Sequence, residues 1–73
     1  MQYWKRKTSV GVELHVQDGF RWGNDLTCVE GGEWGTYCPL SDEEHIRRGY
    51  VPIARAEAQE LAELADCDLP EEK

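Results

Sequence analysis

A chain of 73 residues sits near the lower limit for a domain that folds alone, which weighs against large pockets and multi-step catalysis. Val, Leu, Ile and Phe make up 14 of the 73 residues, just under the roughly 20% that marks disorder at high net charge, but three Trp and three Tyr restore apolar area. The net charge is −7, of which residues 57–73 carry −6 and residues 1–56 only −1. This weighs against direct nucleic-acid binding, whose phosphate contacts need a basic face; Lys5, Arg6 and Lys7 are too few.

The N-terminal run MQYWKRKTSV is basic, and no apolar segment follows it, so no signal peptide is expected. No stretch approaches the ~20 apolar residues of a membrane span. Three cysteines, an odd count, fit a reducing compartment, and the expectation is a soluble, cytoplasmic protein.

Residues 8–17 alternate: Val10, Val12, Leu14 and Val16 share one face, Ser9, Gly11, Glu13, His15 and Gln17 the other. That is a half-buried strand, ended by the hairpin signal Asp18-Gly19. Strands are expected at FRW, LTCV and EWGTYCPL, with turns at Gly23-Asn24-Asp25 and Gly31-Gly32. Ser41 opens a short helix as a capping box with Glu44, and Gly49 stops it. Pro52 keeps Val51 extended. A second helix runs from about Ala54 to Asp66, with Ala54, Ala58, Leu61 and Ala65 on a shallow apolar face flanked by Leu64. The predicted fold is α+β: an antiparallel meander of about four strands, a short helix, and an acidic amphipathic helix packed on one face. Residues 1–66 form the domain and 67–73 an acidic, flexible tail.

Two registers constrain the sheet. A two-residue loop at Asp18-Gly19 would pair Gln17 with Phe20 and His15 with Trp22, putting both aromatics opposite the valines. Either the loop is longer, turning them into the core, or the second face carries an exposed aromatic patch, which usually means a partner. A two-residue loop at Gly31-Gly32 would oppose Glu30 to Glu33, so a wider loop is expected there.

Chemistry-bearing motifs are sparse. Cys28, Cys38, His45 and Cys67 lack the close Cys pair of structural zinc sites, and Cys28 and Cys38 read as small buried hydrophobes. A nucleophilic pair of Cys38 with His45 or His15 lacks any marked oxyanion hole. His45 reads as a helix side chain beside Ile46, and His15 as a solvent-facing strand residue. No glycine pattern fits a phosphate cradle. Glu63, Asp66 and Asp68 crowd a helix C-terminus against the dipole, a broken local rule that points mildly to function.

The segment MQYWKRKTSVGVELHV resembles the opening strand of small phage and prophage proteins that begin with a basic, aromatic M-x-Y segment and alternating valines. WGTYCPLSDEEHIRRGYVPI is similar to their ending, through Trp34, Tyr37, Pro39, Asp42, Tyr50, Pro52 and Ile53. The family's Pro-Gly-Asp-Trp turn is replaced by Gly-Gly-Glu-Trp, and the helix after Ile53 is extra. The family has no assigned activity, so the resemblance implies a phage-type origin. By analogy of size and charge with anti-CRISPR-type inhibitors, it makes binding to a host protein the expected role.

The sequence therefore leads to a non-enzymatic protein, without cofactor or metal, that binds and inhibits a host nucleic-acid-handling or defence complex. The partner expected is a host protein or protein–RNA complex with a basic surface. Glu57, Glu60, Glu63, Asp66 and Asp68 would meet that surface, with Trp22, Phe20 or Tyr50 as apolar anchor. The alternatives are a structural accessory domain with a merely solubilising tail, and a metal or redox module built on Cys28, Cys38 and Cys67.

Overall fold

A computed structural model describes residues 1–70, and they form an α+β fold. Strands β1 (Gln2–Thr8), β2 (Gly11–Asp18), β3 (Trp22–Cys28), β4 (Trp34–Tyr37) and β5 (Val51–Ile53) make one antiparallel sheet in the order β4-β3-β2-β1-β5. Helix α1 (Asp42–Arg47) lies over one face, and α2 (Arg55–Leu64) packs on the other against β1, β2 and β3.

The α2 face is the apolar core. Val12, Leu14 and Val16 alternate inward as expected, while Val10 falls in the β1–β2 turn and is exposed. Leu14, Val16 and Leu26 pack against Ala58, Ala62 and Ala65. The helix is turned from its expected face: Ala62 is buried, Leu61 half-buried, and Ala54 and Leu64 exposed. Its small residues let backbone come close, and a Cβ on Gly32 would lie 3.2 Å from that of Ala65.

Two expectations about the sheet are corrected, and of the two arrangements weighed at Asp18-Gly19 the longer loop forms. The basic N-terminus is itself a strand, giving five rather than about four. Its alternation is hidden because Tyr3 and Trp4 are both buried, one on each face, while Lys5 pairs with Glu57 of α2 and Arg6 with Glu13 of β2. Gly23-Asn24-Asp25 is not a turn: it runs through β3, pairing with Gln17, Val16 and His15. Packing overrides turn propensity there, because the Tyr37 ring lies on Gly23, where a Cβ would come within 2.6 Å of Cζ. The hairpin loop has three residues, Gly19 to Arg21, closed by the Arg21 N–H donating to the Asp18 carbonyl at 3.0 Å. Asp18 thus pairs with Trp22, which turns to the core, while Phe20 stays in the loop, 73% exposed. The wider loop expected at Gly31-Gly32 is present: residues 29–33 separate the strands, and Leu26 pairs with Trp34.

Both helices end in the same backbone motif. After α1 the Tyr50 N–H reaches the His45 carbonyl and the Gly49 N–H that of Ile46, with Gly49 at φ 91°. After α2 the Cys67 N–H reaches the Ala62 carbonyl and the Asp66 N–H that of Glu63, with Asp66 taking the left-handed position at φ 60°. The chain beyond is anchored rather than loose. Leu69 is buried in the core, and the Trp34 indole N–H donates to the Asp68 carbonyl at 3.0 Å. Asp68 and Leu69 thus pack against the body, within the span 67–73 read from the sequence as a flexible tail, of which positions 71–73 lie outside the described residues.

Candidate functional site

The sheet face opposite α2 carries Trp4 and Arg6 from β1, Glu13, His15 and Gln17 from β2, Asp25 from β3 and Tyr37 from β4, by the period of two. Read alone, this face is polar and solvated. It is instead covered by residues 38–50, and two local devices bring that cover down. The buried Gln17 amide grips the Leu40 backbone, donating to its carbonyl at 2.6 Å and accepting from its N–H at 2.9 Å, while the Tyr37 hydroxyl donates to the same Gln17 oxygen at 3.0 Å. Ser41 then caps α1, its Oγ accepting the Glu44 N–H at 3.1 Å. The Glu44 carboxylate pairs with Arg47 and Arg48 instead of returning to the cap. The end motif of α1 sets His45 and Tyr50 side by side, pointing into the sheet.

The result is a cluster of rings around His15. Tyr37 stacks on it at 4.0 Å between centroids and Tyr50 lies tilted at 4.2 Å, while His45 meets it edge-on at 5.4 Å and stacks in turn on Trp4 at 4.4 Å. His15 and His45 are 5% and 0% exposed, so His15 is not the solvent-facing residue the sequence suggested; His45 is a helix side chain as expected, and its neighbour Ile46 is the exposed one. His15 Nδ1 lies 3.2 Å from His45 Nε2. His15 Nε2 lies 2.9 Å from Glu13 Oε1 and 2.8 Å from the Tyr50 hydroxyl, which also donates to Glu13. Arg6 holds the other Glu13 oxygen at 3.2 Å and stands over the Tyr50 ring. A cleft of about 290 Å³ opens onto Glu13, His15, Asp25, Tyr37, Cys38 and Tyr50.

Burial dominates the electrostatics. It lowers the pKa of both histidines, against Glu13 in the case of His15 and against the Ser41 backbone and Asp42 in the case of His45. Burial also raises both tyrosine hydroxyls, helped at Tyr50 by Glu13 and at Tyr37 by Asp25. Burial would raise Glu13 as well, but hydrogen bonds from Tyr50 and His15 and the charge of Arg6 outweigh it and hold the carboxyl below its usual range. The arrangement thus favours the neutral form of the four rings and the ionised form of the Glu13 carboxylate beside them. Among these residues, Glu13, His15 and Asp25 are the set that could hold a metal ion.

The residues expected to meet a partner divide. Glu60, Glu63, Asp66 and Asp68 are exposed on α2 and just beyond it, and Glu57 is half-buried and paired with Lys5. Tyr50 is 3% exposed and belongs to the ring cluster, so it is no surface anchor. Trp22 packs against the core, and Phe20 lies at the β2–β3 turn, the opposite end of the sheet from the β3–β4 loop that meets the end of α2. That loop adds two acids the sequence reading did not assign. Gly32 sits against Ala65 and its carbonyl accepts from the Cys67 thiol at 3.4 Å, which brings Glu30 and Glu33 to the same end as Asp66 and Asp68. Among the described residues no ion pair reaches Glu30, Glu33, Glu60, Glu63, Asp66 or Asp68, whereas pairs take up Lys5, Arg6, Arg21, Arg47 and Arg48.

The cysteines do not converge. Cys28 is buried on the α2 face near Cys67, while Cys38 is exposed beside the cleft on the other. Comparison with protein families, characterised proteins and solved structures gives no match. No described helix is long and apolar enough to cross a membrane.

Proposed function

We propose that this protein acts by binding, without catalysis, and that its acidic end occupies a basic surface of a nucleic-acid-handling complex. The observation that carries the reading is the segregation of charge: among the described residues, six exposed carboxylates without ion pairs lie on α2, just beyond it and in the adjoining loop. Such crowding costs folding free energy, through like-charge repulsion and through acids at a helix C-terminus with no base in its last turn. A basic partner turns that cost into attraction. Leu64, 62% exposed beside Glu57, Glu60 and Leu61, supplies the apolar contact in place of the aromatics expected from the sequence. With the phage-type resemblance, the partner class to search first is a host defence complex, met inside the host cell.

The test is affinity capture from nuclease-treated host lysate at two salt concentrations, with wild type and Glu60→Lys/Glu63→Lys. The expected result is a stoichiometric partner released by salt, lost at least tenfold in the variant, and unable to hold nucleic acid and this protein together. Equal loss of folding and binding in the variant, or a partner that binds nucleic acid simultaneously, overturns the reading.

A further inference from the structure

We propose that Glu13, His15 and Asp25 form a binding site for a divalent first-row transition-metal ion, independently of the acidic end of the molecule. One donor atom from each lies within 4.8 Å of the other two. Their spacing is set by the sheet and not by loops. Glu13 and His15 are alternate residues of β2, and Asp25 is the cross-strand partner of His15 on β3. Two hydrogen-bonded central strands therefore deliver three ligands to one face, the rigid mounting that a preorganised site needs.

Four details suit that use. His15 Nε2 and Glu13 Oε1 already stand 2.9 Å apart, the separation of neighbouring ligands on one ion. Ligand bonds of ~2.0–2.2 Å put donor atoms roughly 3–4 Å apart, so a small swing of the Asp25 side chain completes the set. The far nitrogen, Nδ1, faces His45 Nε2 at 3.2 Å, and His45 is itself held by its stack on Trp4; a metal-bound imidazole is oriented in this way through its other nitrogen. The Asp25 carboxylate makes no hydrogen bond or ion pair among the described residues, and it is accommodated by a glycine: the partner of Asp25 on β4 is Gly35, where a Cβ would lie 2.5 Å from Oδ1. Arg6 holds Glu13 Oε2, and the Tyr50 hydroxyl bridges Glu13 Oε1 and His15 Nε2, so the ion takes the place of that hydroxyl on the two donor atoms. The cleft gives access and room for water to fill the remaining coordination positions.

One imidazole nitrogen and two carboxylate oxygens are a borderline donor set. It fits Zn²⁺ or Mn²⁺ better than Cu⁺, which prefers sulfur, or Mg²⁺, which takes oxygen alone. The site is distinct from the cysteines, of which only Cys38 stands at the cleft rim.

The test is calorimetric titration of the chelator-treated full chain with ZnCl₂ and with MnCl₂, in wild type, Asp25→Asn, Glu13→Gln and Cys38→Ser. Far-UV circular dichroism reports whether each is folded. The expected result is one equivalent bound by wild type and Cys38→Ser, and at least tenfold weaker binding in folded Asp25→Asn. Should Glu13→Gln unfold, Asp25→Asn decides alone. Should that variant also unfold, the absorption bands of Co²⁺-loaded wild type decide, mixed nitrogen–oxygen ligation supporting the site and thiolate bands refuting it. Absence of stoichiometric binding by wild type, or binding lost in Cys38→Ser but kept in Asp25→Asn, overturns the proposal.

Discussion

The two faces of this sheet are built on different physics. Under α2, Leu14, Val16 and Leu26 meet alanines, so stability there follows mainly buried apolar area and close approach. Under α1 the same strands carry Glu13, His15, Gln17 and Asp25, and the cover is held by hydrogen bonds and ring stacking. A polar interior is demanding, because each group needs its partner once water is excluded. The Trp4 indole N–H has none among the described residues, and His45 Nδ1 has no well-formed hydrogen bond there beyond the influence of the Ser41 backbone. The lesson is that the apolar face carries the fold, while the other accepts a less economical interior in order to hold a set of titratable groups in fixed positions.

The largest effect should come from Leu14→Ala, which empties a fully buried position on the apolar face. A loss of about 3 kcal/mol is expected in urea unfolding. The near-ultraviolet dichroism of the tyrosines on the other face should persist while the variant remains folded. His45→Ala should cost less, about 2 kcal/mol, through the lost stack on Trp4 and the unpartnered His15 Nδ1. It should nevertheless erase that dichroism signal. A neutral His45→Ala would break the contrast, showing that the polar face contributes shape but no stability.

The smallest effect separates the faces by thiol chemistry. Burial pushes the Cys28 thiol up to about 11 from an ordinary value of 9. The folded state then holds this proton more tightly than the unfolded state, so stability is intact below pH 9 and declines as pH rises toward 11, by about 1 kcal/mol at pH 10. Cys28→Ser should remove this thiol's share of the decline in alkaline urea titrations and leave the share due to the raised Tyr37 and Tyr50 hydroxyls, whereas Cys38→Ser, at the exposed rim of the other face, should leave the whole decline in place.

The apolar face was legible because its signals are local and periodic: alternation of Val12, Leu14 and Val16 gives a strand, and the alanine spacing gives a helix. Ser41 and Gly49 likewise mark the ends of α1 by their own backbone chemistry. The other face was hidden because its periodicity says polar, and polar reads as solvent. Only the cover makes His15 and Gln17 interior, and the cover is joined through contacts 23 and 30 residues away, Gln17 to Leu40 and His15 to His45. One local clue existed. In HIRRGY, a glycine stop two residues after Arg47 places the residues four before and one after it, His45 and Tyr50, against each other. Gly23 misled for a related reason: it serves a ring from the next strand and not a turn.

The strand order has a consequence for how the molecule assembles. β1 to β4 are joined by hairpins and can zip in sequence, but β5 pairs Tyr3 with Ile53, positions fifty apart in the chain. Closing so long a loop costs more entropy than any hairpin, and contacts of high sequence separation are the slow ones to form. Tyr50 immediately precedes β5 and follows α1, so it reaches His15 and Glu13 through the same closure. The ring cluster is thus completed by the slowest topological step, and a chain stalled before it would have a sheet but no site.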